Sequence, residues 1–179
     1  NPIYPDRAAL LDYCSRSANP IGRLLLHLSD VDEPAALAQS DAICTSLQLI
    51  NFWQDMSIDH ARGRFYVPLA DAQRHRLDVE TMRGDSDASR ALVRELCSWA
   101  RELMQRGAPL VHRLPGRVGW ELRLVVQGGL RILDKIEAHG FNALSQRPTI
   151  GALDAPLLLW RALWMQRRST ALLRDRAAR

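Results

Sequence analysis

Gln48-Leu49-Ile50-Asn51-Phe52-Trp53-Gln54-Asp55-Met56-Ser57-Ile58-Asp59 is the stretch that decides the reading of this chain. Gln48, Asn51, Asp55 and Asp59 recur at offsets of 3, 7 and 11 residues. At about 100° per residue these fall within a sector of roughly 80°. Four side chains with oxygen acceptors therefore form one stripe of one helix, while Leu47, Leu49, Phe52 and Trp53 lie partly on the opposite face. Two aspartates one turn apart repel by a few tenths of a kcal/mol on an exposed helix. A recessed stripe costs far more unless cations compensate it. Hard divalent cations answer that need: Mg²⁺ takes one or two carboxylates, keeps waters and binds substrate phosphate oxygens.

Directly after the stripe come Arg62-Gly63-Arg64 and Tyr66. Guanidinium groups bind phosphate oxygens bidentately. A basic loop following two metal-binding carboxylates is what a diphosphate requires. An isolated D-x-x-x-D is more often a solvated helix; the fourfold stripe and the R-G-R loop together argue for a site.

Working outward, the pattern is helical throughout. Asp6 is a suitable N-cap for a helix over about 7–18. Asn19-Pro20-Ile21-Gly22 should kink it, with helix resuming over 23–28. A long helix is expected over 34–59, two more near 86–107 and 120–139, and a last one from about 155 into a basic tail. Phe65-Tyr66-Val67-Pro68 reads as a short extended piece. No alternating strand pattern appears. The chain of 179 residues, 47% hydrophobic, suffices for one core and one domain over 1–179. The expected class is all-α.

The formal net charge is +4. That balance suits nucleic acid, an anionic membrane or a phosphorylated small molecule. Nucleic acid is the poorest of these, because an inward Asp55/Asp59 stripe would repel phosphate without metal. Cys14, Cys44 and Cys97 are odd in number and far apart, which points to a reducing cytosol rather than a disulfide scaffold. Leu157, Trp160, Arg161, Leu163, Trp164, Arg167 and Arg168 form an amphipathic, basic segment. Peripheral contact with the inner membrane face is one reading of it, and a terminal core helix with a solvated tail is the other. The five histidines show no metal-ligand spacing; His60 stands out only as the neighbour of Asp59.

The stretch Q-x-x-N-x-x-x-D-x-x-x-D from Gln48 to Asp59, followed by Gly63-Arg64-Phe65-Tyr66-Val67-Pro68, resembles the second aspartate-rich motif of the squalene/phytoene synthase family. Tyr13-Cys14 and Ser17-Ala18-Asn19-Pro20-Ile21-Gly22 resemble the family's kinked cavity helix, and Gln127-Gly128-Gly129 with Lys135-Ile136 fit its late helices. Asn51-Phe52-Trp53-Gln54-Asp55 is most similar to the bacterial hopanoid-pathway branch, that of hydroxysqualene synthase. There Gln54 stands where an Arg is commoner, so one phosphate contact is absent or comes from elsewhere. The family's first aspartate-rich motif has no counterpart before Tyr13, so the chain looks like the C-terminal part of the fold.

The resemblance implies an isoprenoid synthase-type helical bundle with a central prenyl-diphosphate cavity. It implies head-to-head condensation of two farnesyl diphosphates, or conversion of presqualene diphosphate to hydroxysqualene. Squalene formation with hydride from NADPH, dehydrosqualene and phytoene formation are the alternatives, and an inactive helical binding module is another. Two or three Mg²⁺ ions would be held by Asp55, Asp59 and Asn51. Arg62, Arg64, Gln48 and Tyr66 would meet substrate phosphate, and Tyr13, Ser17 and Ile21 would line the prenyl wall. Tyr13 and Tyr66 read equally well as ordinary packing. A cytoplasmic enzyme, at most peripheral to the membrane, is expected.

Overall fold

A computed structural model describes residues 3–82 and 84–165. The chain is all-α: eight helices and two short 3₁₀ turns are present among the described residues, and no strand. In order they are α1 (Arg7–Ser17), α2 (Asn19–His27), α3 (Pro34–Gln54), α4 (Met56–Ala61), α5 (Leu69–Arg74), α6 (Asp87–Gly107), α7 (Gly116–Ala138) and α8 (Ala155–Leu163). The 3₁₀ turns, Ala108–His112 and Ala152–Asp154, follow α6 and precede α8.

The helix ends follow local chemistry. Asp6 caps α1 by accepting from the Ala9 amide at 2.9 Å, which satisfies one of the orphan donors of the first turn. Ser86 and Ser89 form a reciprocal capping box at the start of α6. Two boundaries differ from the sequence expectation. The kink falls at Ala18, so α2 already begins at Asn19 with Pro20 in its first turn, where a missing N–H costs nothing. Helix α7 begins at Gly116, four residues before Trp120, because extended Pro115 is itself the N-cap. Helix α5 was not anticipated; the Phe65–Pro68 piece is too short to separate it from α4 by pattern alone.

Helix α3 is the axis of the molecule. It packs along α6 and touches α1, α2 and α7. Leu49, Trp53 and Ser46 of α3 are completely buried, and the Ser46 hydroxyl donates to the Ala100 carbonyl of α6 at 2.7 Å. The α3–α6 crossing is tight. A Cβ on Gly107 would stand 2.6 Å from the Gln39 carbonyl oxygen, so only glycine lets the two backbones approach so closely. Gly22 of α2 faces side chains of α3, where a Cβ would meet Ser40 Oγ at 2.4 Å. Cys14, Cys44 and Cys97 are free thiols, and burial pushes Cys97 up to about 12. No helix among the described residues is long and apolar enough to cross a membrane. Arg167 and Arg168 lie outside the described residues.

Candidate diphosphate site at the end of helix α3

The expected single helix over 34–59 is in fact two, α3 and α4, joined at Asp55. Asp55 has φ −97° and ψ 9°, outside the helical basin. Backbone bonding still passes through it: its amide donates to the Asn51 carbonyl, and its carbonyl accepts from the Asp59 amide at 2.8 Å. The bend therefore keeps the two carboxylates one turn apart.

Asp55 and Asp59 are both recessed, with side chains 21% and 14% exposed. Gln48 is half-buried and Asn51 opens to solvent. Burial pushes the Asp59 carboxyl above its usual range, and the charge of Asp55 adds to this. Arg64 and Arg62 oppose the rise only in part. Its negative charge is thus incompletely matched by the protein.

The loop after α4 aims its cations by a specific turn. Gly63 adopts φ +68°. Its amide donates to the His60 carbonyl and that of Arg64 to the Asp59 carbonyl, at 3.0 and 2.8 Å. This is a Schellman motif, which glycine closes without strain. It ties Arg64 to the turn that carries Asp59, leaving the guanidinium 3.7 Å from the carboxylate. Arg62 caps the same helix end and is exposed. The ring of His60 meets Phe65 edge-on at 6.2 Å, which gives it a packing role.

One further site residue, Arg147, escaped the motif reading. Arg147 donates from Nε to Asp55 Oδ1 at 2.6 Å, across 92 positions of sequence. Gln54 Nε2 donates to the Pro148 carbonyl at 2.7 Å and holds that loop against the end of α3. The site therefore has a guanidinium, from Arg147, beside the position where Gln54 replaces the commoner Arg. The adjacent basic and proline residues, Arg147-Pro148, carry no signal that links them to Asp55.

Beside the carboxylates stands an aromatic wall. Phe65 and Val67 point into the core, and Tyr66 between them turns the other way. Its ring stacks on Phe52 at 4.0 Å and 8°. Tyr13 of α1 lies 6.2 Å from Phe52. Tyr4 completes the group, 5.7 Å from Tyr13 and 6.1 Å from Tyr66. Sequence reasoning missed Tyr4, which precedes the first helix and is strapped to α5 through Leu69 N–H donating to its carbonyl at 2.9 Å. Its buried hydroxyl has no partner among the described residues, and burial pushes it up to about 12. Burial also raises Tyr66, with help from the Asp59 charge. Ser17 is exposed and bonds its own helix, donating to the Tyr13 carbonyl at 2.9 Å. Ile21 is exposed on α2. The structure thus gathers Asp55, Asp59, Arg62, Arg64, Tyr66 and Tyr13 around one end of α3, with Ser17 and Ile21 standing open beyond them.

The model of the squalene/phytoene synthase family matches residues 1–154. The chain belongs to this family. A phytoene synthase of Thermus thermophilus is 32% identical over 158 residues, covering 87% of this chain and 54% of the relative. A hydroxysqualene synthase of Zymomonas mobilis is 39% identical over 66 residues, 36% of this chain and 22% of that one. The crystal structure of squalene synthase HpnC from Alicyclobacillus acidocaldarius superimposes with a TM-score of 0.75 at 34% identity, covering 78% of this chain and 54% of that one. The chain spans about half the length, or less, of the relatives it matches. The squalene/phytoene synthases are prenyltransferase-type enzymes of isoprenoid biosynthesis.

Proposed function

We propose that this chain carries one metal–diphosphate half-site of a head-to-head prenyl synthase. Its reaction is Mg²⁺-dependent condensation of two farnesyl diphosphates, or conversion of presqualene diphosphate to hydroxysqualene as in the hopanoid branch. One observation carries the reading: two recessed carboxylates, Asp59 short of compensating charge, ringed by Arg62, Arg64 and Arg147.

The donor set suits a substrate-bridged Mg²⁺. Among the described residues no three His, Cys, Asp or Glu side chains gather at one point, so a fully protein-caged ion is not built here. Two carboxylates, with Asn51 at the rim, leave positions for water and phosphate oxygens. When bound, Mg²⁺ supplies Lewis-acid neutralisation of the leaving diphosphate.

The chain's own residues do the rest. Arg64, Arg62 and Arg147 donate to phosphate oxygens as the C–O bonding pair departs with the diphosphate. Arg147 then fills the role that Gln54 does not. Tyr13, half-buried at the edge of the aromatic wall, offers its ring to the allylic cation left behind. In the hydroxysqualene branch, water adds its oxygen to the cation and sheds a proton. Gln48 and Asn51 orient water or phosphate at the rim.

A second reading is a diphosphate-binding module without turnover. The test has two parts. Calorimetry of the chain with inorganic diphosphate should show binding that requires Mg²⁺; absence of such binding by a well-folded chain would sink the half-site. Mass spectrometry of lipid extracts after incubation with farnesyl or presqualene diphosphate then separates enzyme from module. Product that requires Mg²⁺ supports turnover. Binding without product, even with the preceding helices of a relative supplied, leaves the module.

A further inference from the structure

Among the described residues, half-buried arginines are met by carboxylates, with one exception. Arg7, Arg90, Arg101, Arg131 and Arg161 are half-buried, and each has an aspartate within 3.0 Å. Arg123 of α7 is half-buried too, and no carboxylate among the described residues reaches it. Its Nη2 faces His112 Nδ1 at 3.3 Å, and its Nη1 donates to the Ala162 carbonyl at 3.4 Å. A guanidinium carries five N–H donors and does not shed its charge. Two long bonds to neutral groups leave three donors and the whole charge without an anion, where part of its water is already displaced.

Arg123 lines a cleft of about 290 Å³, together with Val111, His112, Leu114, Gly116 and Trp120. Gly116, Trp120 and Arg123 lie at offsets of 4 and 7 residues and so share one face of α7. A Cβ on Gly116 would meet nothing within 4 Å, so the cleft is open there. Arginine can only donate, so His112 Nδ1 accepts and the ring hydrogen sits on Nε2, a further donor in the lining. The surrounding stretch is basic. Residues 106–123 hold Arg106, Arg113, Arg117 and Arg123 against Glu121 alone, a net of +3, and Glu121 is already paired with Arg117 at 2.6 Å. The cleft lies away from Asp55. Gly107, where the 3₁₀ turn begins, sits against Ile43 of α3. Asp55 follows Ile43 by 12 residues, about 18 Å along that helix.

We propose that this cleft is a second anion site, which takes a phosphate group, free or carried on a small ester, without a metal ion. Arg123 grips two phosphate oxygens with its remaining donors, and His112 donates from Nε2 to a third. A doubly charged phosphate suits the local excess of positive charge better than a single carboxylate. The ring of Trp120 walls the side on which an ester group would lie. The inference is independent of the prenyl synthase reading, since none of the lining residues is among those gathered at Asp55 and Asp59.

The test titrates the intact chain with inorganic phosphate and with phenyl phosphate at constant ionic strength. EDTA is present, so that no ion bridges either probe to Asp55 and Asp59. Proton–nitrogen NMR follows the amides of Gly116 and Gly119, the indole N–H of Trp120 and the side-chain Nε–H of Arg123. These signals should shift together along one saturable curve. Tighter binding of phenyl phosphate supports an ester ligand, and equal binding supports free phosphate. Arg123→Gln should weaken the binding by about tenfold or more, from loss of the charge-assisted pair. Arg123→Lys, which keeps the charge without the fork, should fall between the two. Arg64→Gln should leave the cleft signals as in the parent chain. Should Arg123→Gln fail to fold, the parent map and Arg123→Lys decide. The proposal is overturned if a folded chain shows no saturable shift at the cleft through the millimolar range. Shifts confined to the Arg62–Arg64 loop overturn it too, as do cleft shifts that persist undiminished in Arg123→Gln.

Discussion

Two carboxylate sites of this molecule differ in how far their charge is answered. Asp154, at the turn before α8, accepts from Lys135 at 2.6 Å, from the Gly151 amide at 2.8 Å and from Arg131 at 2.8 Å. These bonds, that of Lys135 first, hold its carboxyl well below the usual carboxylate range. Asp59, on α4 just past the end of α3, is displaced in the opposite direction by burial and by Asp55. One site is closed by its own protein and fixes a loop. The other is left electrostatically unsatisfied, as expected where a cation or a charged substrate completes the set.

The sharpest way to break this contrast is Asp59→Asn or Asp55→Asn. Either should lower Mg²⁺-dependent diphosphate binding, and turnover wherever product forms, by about a hundredfold or more. Normal Mg²⁺-dependent turnover in either variant would remove the metal assignment. The metal-free chain should not lose thermal stability with Asp59→Asn, since the native fold raises the cost of that charge. The opposite result would make Asp59 a structural carboxylate like Asp154.

Arg147→Gln should weaken diphosphate binding by about tenfold, from loss of one charge-assisted contact of about 1.5 kcal/mol. Calorimetry checks it. A tighter Mg²⁺-dependent complex in the variant would mean that Arg147 competes with the ion for Asp55 and does not serve the phosphate.

The closed site makes a prediction in pH. A folded-state value held below the unfolded one gives Asp154 a stabilising contribution that is full above the ordinary carboxylate value of 3.8 and lost as pH falls through the lower folded value. Thermal melts should show Tm falling below about pH 4 with a slope that Asp154→Asn flattens. For Asp59 the stability term reverses, since a raised folded value costs stability as pH rises through it; protons also compete with the cation, so Mg²⁺ affinity should fall as pH drops through the same range. The smallest effect is Tyr66→Phe. The stack on Phe52 survives, so diphosphate binding should change by about threefold or less; a large loss would make the hydroxyl a substrate contact.

Much of the site was legible because it is local. The carboxylates, Asn51 and Gln48 sit on one helical repeat, and the R-G-R loop follows it directly. The bend at Asp55 was not legible, since each residue there is compatible with continuous helix and the break shows only in its dihedral angles. Tyr4 and Arg147 were missed for a different reason: each reaches the site from a segment with no periodicity of its own.

Sequence by itself determined the all-α class, the spacing of Asp55 and Asp59, the cap at Asp6, and the family motif. These depend on relations within a few residues, which helical geometry fixes once the chain is helical. Tertiary structure alone decided which cation meets which carboxylate, that four aromatic rings close one wall beside them, and that Arg123 faces a cleft instead of a carboxylate. Those outcomes depend on how helices far apart in sequence pack, and packing answers to the shape of the whole core.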